Sequence, residues 1–231
     1  MSSLDRPYLS RSSPARTGSG SSRGAGGAAT VAPPVVPPLP AIPPPGWVVV
    51  IAASAGGIAP IVNILSKLPA DFPAAVLVAQ HLAPSRDSSL DQIIRRNSAL
   101  PTEFARDGVT IEAGHTYIAP PDLHLLMVER DVVRLTSTER VQWVRPSADV
   151  LFESVAALYG SKAVAVVLSG TGRDGSAGAM HVKRCGGRVI VQEPTDAAFA
   201  GMPSSAAEGT VDHVVPVGEI AQLLVDIVGA G

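Results

Sequence analysis

Stretches of continuous apolar residues alternate along this chain with stretches whose apolar residues recur at helical spacing. The first apolar run, residues 47–53 (WVVVIAA), is rich in β-branched residues, which is typical of a strand buried on both faces. Runs of this kind predict strands at 47–53, 74–80, 163–169, 188–192 and 211–215. Helical spacing predicts helices at 58–68, 87–97, 147–159, 177–185 and 217–228. Ser147 is in position to act as the N-cap of its helix.

Residues 102–136 differ from this pattern. They show short alternating stretches separated by turn signals at 107–108 and 120–122, which predict a small antiparallel excursion. Elsewhere strands alternate with helices. This order predicts an α/β fold, namely a doubly wound, mainly parallel sheet with helices on both faces.

The first 46 residues lack the apolar pattern of the rest of the chain. Ser, Gly, Ala and Arg dominate residues 10–30, and residues 31–46 are rich in proline. Such a sequence buries too little apolar surface to offset chain entropy, so we expect a disordered tail at 1–46 and one folded domain at 47–231. The prolines would break a membrane-spanning helix here, and no uninterrupted apolar stretch follows the start as in a secretory signal. We therefore expect a cytoplasmic protein without direct membrane insertion.

Charge and cysteine content exclude several classes of function. Residues 47–231 carry 14 basic and 19 acidic side chains, a net negative body without the electrostatic footprint that nucleic-acid binding requires. Cys185 is the only cysteine, which excludes a disulfide framework and a thiolate metal cluster. We interpret Cys185 as a small buried apolar residue in a reducing compartment.

Three polar side chains follow three of the predicted strands. Ser54 lies in the small-residue turn AASAGG, His81 directly follows the second strand, and Asp174 lies in the glycine-rich segment SGTGRDG. In open α/β sheets the chemistry lies beyond the carboxyl ends of the strands. Considered jointly, these residue types predict a nucleophile, a general base and an orienting acid. Backbone N–H groups after Ser54 are then available to a developing oxyanion.

Each of these signals also has an alternative interpretation. A glycine turn after a first strand is compatible with dinucleotide binding, but that class favours Gly-x-Gly-x-x-Gly and an acid that ends the second strand. Here the glycines are adjacent and the second strand ends with Gln80-His81. Asp174 taken alone is typical of an ordinary turn with a helix-capping residue. The chain order Ser, His, Asp also differs from that of the α/β-hydrolases, which argues against that family but not against the mechanism.

The remaining candidate residues carry weaker signals. His115 and His124 flank a proline turn at a spacing that matches no compact metal motif, so we expect structural roles and no metal site. His181 and His213 have no evident polar partner. Glu153 is expected on the solvated face of its helix.

Six sequence blocks occur in order along the chain. They are AASAGG (52–57), VAQH (78–81), GHTYIAP (114–120), RPSADVLF (145–152), LSGTGRDG (168–175) and GMP (201–203). Together they resemble the catalytic domain of the CheB-type protein-glutamate methylesterases of bacterial chemotaxis over about residues 47–228. The resemblance implies a catalytic triad of Ser54, His81 and Asp174. It also implies hydrolysis of γ-glutamyl methyl esters on chemoreceptors, deamidation of receptor glutamine in some members, and no metal or organic cofactor.

Two departures from the family pattern affect this prediction. The best-known members carry an N-terminal phosphorylatable receiver domain, which residues 1–46 cannot form, so we expect a regulator in trans whose identity is unknown. Ala55 stands where Thr often follows the nucleophile, and Thr171 stands where Met is common. Since oxyanion contacts use backbone N–H groups, we expect Ala55 and Thr171 to supply them despite these changes.

Three hypotheses about function follow. The leading one is an esterase whose partner and substrate is a methylated chemoreceptor or a similar signalling protein. The second is a non-catalytic signalling module with the same fold. The third is a nucleotide-binding α/β domain, which the glycine spacing disfavours.

Overall fold

The computed structural model describes residues 45–82 and 88–229. Its centre is a seven-stranded parallel sheet with the spatial order β3-β4-β2-β1-β7-β8-β9, and a separate hairpin pairs β5 with β6. The strands are β1 (Trp47–Ala53), β2 (Ala74–Gln80), β3 (Thr102–Phe104), β4 (Thr116–Ile118), β5 (His124–Glu129), β6 (Val132–Thr136), β7 (Ala163–Val167), β8 (Arg188–Gln192) and β9 (His213–Val215). The α-helices are α1 (Ile58–Leu65), α2 (Leu90–Arg95), α3 (Ala148–Tyr159), α4 (Ser176–Arg184), α5 (Gly201–Ala207) and α6 (Val217–Gly229).

The central strand β1 separates two apolar cores. Its side chains alternate, so that Val48 and Val50 contribute to one core while Val49 and Ile51 contribute to the other. Helices α3, α4 and α5 cover the first core, and α1, α2 and α6 cover the second. The predicted doubly wound sheet with helices on both faces is therefore confirmed.

The predicted antiparallel excursion is confirmed only for the hairpin of β5 and β6. Strands β3 and β4 instead extend the main sheet, with Thr116 opposite both Thr102 of β3 and Val76 of β2 in parallel register. The sequence pattern of a three-residue strand does not distinguish parallel from antiparallel pairing. That choice depends on a partner far away in the chain.

Two further differences from the prediction concern helices, and a third concerns Cys185. The structure contains α5, which the sequence analysis did not predict because its residues GMPSSAA lack a long apolar stripe. Helices α1 and α2 are shorter than predicted, and Asp87, the predicted start of α2, lies outside the described residues. Cys185 is half-buried against the first core rather than fully buried.

Residues 1–44 of the predicted tail at 1–46 lie outside the described residues. Within residues 45–82 and 88–229, no helix combines the length and the apolar composition that crossing a bilayer demands.

Helices α3 and α4 approach each other closely near their N-terminal ends. A Cβ atom added at Gly178 of α4 would lie 2.6 Å from Cβ of Phe152 and 3.0 Å from Cα of Asp149. Such distances are far below ordinary van der Waals contact, so only glycine allows this approach. The close packing brings the start of α3 against the loop that precedes α4.

We expect Gly178→Ala to destabilise the fold by about 1–3 kcal/mol, since the overpacking cost exceeds the gain in helix propensity of roughly 1 kcal/mol. Gly218→Ala in α6 is the matched control, because no atom lies within 4 Å of the added Cβ. It should leave stability unchanged or raise it by up to about 1 kcal/mol. Urea denaturation of both variants measures the difference, and equal effects would contradict the close contact.

Candidate active site

The three predicted site residues all lie at the carboxyl edge of the parallel sheet. Ser54 follows β1, His81 follows β2, and Asp174 lies in the loop between β7 and α4. Strand β2, which follows β1 in the chain, pairs with one edge of β1, and the later strand β7 pairs with its other edge. Such a reversal of strand order opens a crevice at the carboxyl ends of the strands, where ligands bind in this class of fold.

The backbone around Ser54 is fixed from three directions. Its N–H donates to the carbonyl of Ser169 (3.0 Å), and its carbonyl accepts from the N–H of Gly57 (3.0 Å) and from Nε2 of Gln80 (2.9 Å). Gly170 permits the close approach of the β7 loop, because a Cβ there would lie 2.9 Å from Cβ of Ser54. The turn therefore holds Ser54 in one position at the end of β1.

His81 and Asp174 form a direct side-chain hydrogen bond. Nε2 of His81 lies 2.8 Å from Oδ2 of Asp174, and the two side chains are 15% and 3% exposed. The carboxylate accepts the Nε2 proton, so Nδ1 is the ring nitrogen that is free to accept a proton. Ser54 and His81 line one cavity of about 500 Å³.

The hydroxyl of Ser54 forms no hydrogen bond to any residue within 45–82 and 88–229. The structure therefore brings two of the three predicted residues into contact and places the third in the same cavity. Catalytic hydrogen bonds are often long in ligand-free enzymes and shorten only when substrate binds.

The carboxylate of Asp174 also caps helix α3. Its oxygens accept hydrogen bonds from the N–H groups of Ala148 (2.6 Å) and Asp149 (3.2 Å) and from the hydroxyl of Ser147 (2.7 Å). Ser147 occupies the predicted N-cap position, but its own side chain makes no cap hydrogen bond. The predicted N-cap position of Ser147 is therefore confirmed, but the group that accepts the first N–H groups of the helix is a carboxylate from another loop.

These contacts determine the charge of Asp174. Burial by itself would raise the pKa of Asp174, but hydrogen bonds from His81, Ala148 and Ser147 outweigh it and lower the pKa below the ordinary value. The partial positive charge at the start of α3 favours the same ionised form. Asp174 is therefore a carboxylate at neutral pH, as an orienting acid must be.

Asp149 makes the reciprocal contact with helix α4. Its Oδ1 accepts the N–H groups of Gly175 (2.9 Å) and Gly178 (2.8 Å), at the start of α4. Burial raises the pKa of Asp149, and the charge of Asp174 raises it further against the two backbone hydrogen bonds. Each of the two helices is thus capped by an acid that belongs to the other segment.

Sequence reasoning missed the contributions of Ser147 and Asp149. Both lie in the block RPSADVLF, where the sequence predicts an N-cap at Ser147 but no contact with Asp174 or with helix α4. An acid in the first turn of an apolar helix was the available signal, but nothing local indicates which carboxylate faces which helix.

The N–H groups predicted to contact the oxyanion lie in the loops after β1 and β7. Within the described ranges, the backbone N–H groups of Ala55 and Thr171 donate no hydrogen bond. The adjoining residues are fixed, since Gly170 donates to the carbonyl of Phe199 (3.0 Å) and Ser169 donates its hydroxyl to the carbonyl of Ala55 (2.9 Å). An oxyanion role for the two N–H groups stays a prediction.

The other histidines form contacts with residues other than His81 and Asp174. His124 is buried, accepts the N–H of Ser147 at Nδ1 (3.1 Å) and contacts the carbonyl of Glu139 through Nε2 (3.1 Å), which fits the structural role predicted for it. His115 stacks on Tyr117. His181 contacts its helix neighbour Arg184.

Comparison with known proteins identifies relatives of this chain. A family model described as CheB methylesterase matches residues 49–224. Protein-glutamate methylesterase/protein-glutamine glutaminase 3 of Anaeromyxobacter dehalogenans is 44% identical over 175 residues, which cover 74% of this chain and 51% of that protein. A putative protein-glutamate methylesterase/protein-glutamine glutaminase of Leptospira interrogans is 36% identical over 173 residues, which cover 74% of this chain and 90% of that protein.

A solved structure confirms the fold. The crystal structure of the Thermotoga maritima CheB methylesterase catalytic domain matches with a TM-score of 0.75 and 37% sequence identity, covering 79% of this chain and 98% of that domain. The chain spans about half the length of the Anaeromyxobacter relative and most of the length of the Leptospira relative.

We expect Ser147→Ala to lower the free energy of unfolding by about 1.5–3 kcal/mol at pH 7, the range for a hydrogen bond to a charged group. The pKa of Asp174 is lower in the folded state, so its contribution is present above its unfolded pKa of about 3.9 and disappears as pH falls through the folded value. The difference between wild type and variant should therefore shrink below about pH 4.

Ser154→Ala is the matched control for this measurement. Ser154 lies on the same helix, but its hydroxyl contacts the backbone of Leu151 and Met127 and no carboxylate. Urea denaturation between pH 3 and pH 7 should give a pH-independent effect for Ser154→Ala. A pH-independent effect for Ser147→Ala as well would contradict a hydrogen bond to ionised Asp174.

Proposed function

The chain belongs to the CheB methylesterase family, and we propose that it is a serine hydrolase that removes methyl groups from γ-glutamyl methyl esters of a chemoreceptor or a related signalling protein. One observation carries the proposal: the hydrogen-bonded pair of His81 and Asp174 lies at the same carboxyl edge of the sheet as Ser54. The names of the relatives give the reaction class. The cytoplasmic location expected from the sequence remains part of the proposal.

Acylation of Ser54 is the first half of the proposed reaction. Nδ1 of His81 takes the hydroxyl proton while the Ser54 oxygen attacks the ester carbonyl carbon. Asp174 stabilises the imidazolium, and the N–H groups of Ala55 and Thr171 stabilise the oxyanion of the tetrahedral intermediate. His81 then gives the proton to the methoxy oxygen, so that methanol leaves and the glutamyl group remains esterified to Ser54.

Hydrolysis of this ester completes the cycle. Water enters the cavity, and His81 removes a proton as the water oxygen attacks the same carbonyl carbon. The bond to Ser54 breaks, the proton returns from His81 to the Ser54 oxygen, and the product is a glutamate side chain. No group beyond the three side chains and backbone N–H donors enters these steps.

Deamidation of glutamine follows from the same chemistry. An amide in place of the ester gives the same acyl group on Ser54, and His81 gives its proton to the amide nitrogen, so that ammonia leaves instead of methanol. The relatives' names include protein-glutamine glutaminase, which supports this second reaction as part of the proposal.

Two observations weigh against the other hypotheses. A non-catalytic module could use the Asp174 carboxylate as the cap of α3, but it has no need for a histidine that is hydrogen-bonded to this carboxylate in the cavity of Ser54. A dinucleotide site would need an acid at the end of β2, where the chain has Gln80 and His81.

We expect Ser54→Ala and Asp174→Asn each to lower kcat by on the order of 10⁴-fold or more. The measurement is methanol release from a chemoreceptor fragment that carries methylated glutamates. Ser89→Ala is the matched control, because Ser89 lines the same cavity and its side chain makes no cap hydrogen bond. It should keep kcat within about threefold. Retention of most methanol release by Ser54→Ala would refute the proposed nucleophile.

We also expect a fluorophosphonate probe to label Ser54, since these reagents react with serines activated by a neighbouring base. Mass spectrometry of the digested protein identifies the labelled residue. Folded wild-type protein that resists labelling and releases no methanol would favour the non-catalytic module.

A further inference from the structure

Large exposed apolar side chains gather around the candidate active site. Seven such residues are exposed among those that the structure describes, and four of them border this edge of the sheet. Ile58 and Ile93 line the cavity that contains Ser54 and His81. The other two are Trp143, which lines a neighbouring cavity, and Phe199, which packs beside Gly56. We call these four residues the site rim.

Trp143 is the most exposed member of the site rim, at 91%. It lines a cavity of about 330 Å³ together with His81 and Asp174. His81 also lines the cavity that contains Ile58 and Ile93. His81, the proposed catalytic base, therefore lines both the cavity with Trp143 and the cavity with Ile58 and Ile93.

The backbone presents Trp143 in a conformation that its side chain disfavours. Gln142 and Trp143 are the central residues of a tight turn closed by the hydrogen bond from Val144 N–H to the carbonyl of Val141 (3.0 Å). Their φ angles are +49° and +68°, the left-handed region that glycine and asparagine adopt at least cost. A bulky aromatic residue at such a position is a rare feature, and backbone strain of this kind gathers at functional sites.

A partly buried hydrogen bond holds this turn in place. The amide Nε2 of Gln142 donates to Oδ2 of Asp149, whose other oxygen accepts the N–H groups of Gly175 and Gly178. The turn is therefore attached to the same carboxylate that organises the loop of Asp174. A turn whose backbone is held before binding loses less conformational entropy when a partner covers it.

Trp143 contributes little to the stability of the fold. Its side chain is almost wholly in solvent, so it buries almost no apolar surface, and its φ angle would suit glycine better. Its size, exposure and position beside His81 instead match the aromatic anchors that carry much of the energy of protein interfaces.

We infer that Trp143 is a specificity-determining anchor that docks the substrate protein, through apolar side chains beside the esterified glutamate, onto the site rim. This inference rests on the proposed function. The ester carbon of a glutamyl side chain lies only about 4 Å from its own Cα. For that carbon to reach Ser54, the surrounding surface of the substrate protein must press against the residues that border the cavity. Apolar groups match the four large side chains of the site rim, and the exposed polar residues Thr171 and Arg173 also line the cavity beside Trp143.

The test compares a protein substrate with a small one. We would measure kcat/KM for methanol release from a methylated chemoreceptor fragment and from N-acetylglutamate α-amide γ-methyl ester, which is too small to cover Trp143. The ratio to compare is kcat/KM for the receptor fragment divided by kcat/KM for the small ester. In Trp143→Gly, this ratio should fall about 10- to 100-fold relative to wild type, the range for loss of an interface anchor. The melting temperature should stay the same or rise, because glycine suits the positive φ angle.

Two further variants complete the experiment. Trp143→Asn, which also tolerates this backbone, should show the same lowered ratio. Met180→Ala removes an exposed apolar side chain of α4 that lines neither cavity, and it should leave the ratio within about twofold of wild type.

The outcomes separate this inference from the proposed function. If wild type hydrolyses neither ester, the proposed function fails. If wild type hydrolyses both and the ratio in Trp143→Gly stays within about threefold, the docking inference alone is wrong. If light scattering shows a wild-type dimer that Trp143→Gly converts to monomer, the site rim binds a second copy of this chain, and the inference is likewise overturned.

Discussion

The carboxylate of Asp174 is the group on which the rest of this site depends. It is almost completely buried, and it accepts hydrogen bonds from His81, from Ser147 and from two backbone N–H groups at the start of α3. Burial of an ionised carboxylate costs several kcal/mol, whereas each hydrogen bond to the charged form contributes about 1.5–3 kcal/mol. The four donors therefore keep the group ionised, and an ionised group is what orients and stabilises His81.

The contacts that pack helices α3 and α4 together are consequently also the contacts that position the site. Asp174 precedes α4 but caps α3, and Asp149 belongs to α3 but binds the N–H groups at the start of α4. This exchange requires the two helices to lie very close together, which Gly178 makes possible. Because Asp149 also accepts from Gln142, the arrangement extends from the interior to the surface turn beside the candidate active site. The same few contacts thus stabilise the domain and position its polar groups.

Much of the fold could be predicted from the sequence because the signals were local. The bounds of β1, β2 and β8 agree with the prediction, since each is a continuous run of apolar residues between turn signals. Helix α5 could not be predicted in this way. Its Met202 is buried, and its backbone N–H donates to the carbonyl of Gly170, so its place depends on the β7 loop rather than on its own pattern. The parallel pairing of Thr116 with strands on both sides was likewise invisible, because neither partner is its neighbour in the chain.

By itself the sequence determined the alternation of strands and helices, the buried character of the central strands and the position of Ser54, His81 and Asp174 after strand ends. These properties depend on residue type and on neighbours a few positions away. Only the tertiary structure decided which groups meet, such as His81 with Asp174, 93 positions apart, or Asp174 with the start of α3. The order of strands in the sheet and the closeness of two helices set those contacts, and both follow from packing of the whole domain rather than from any short segment.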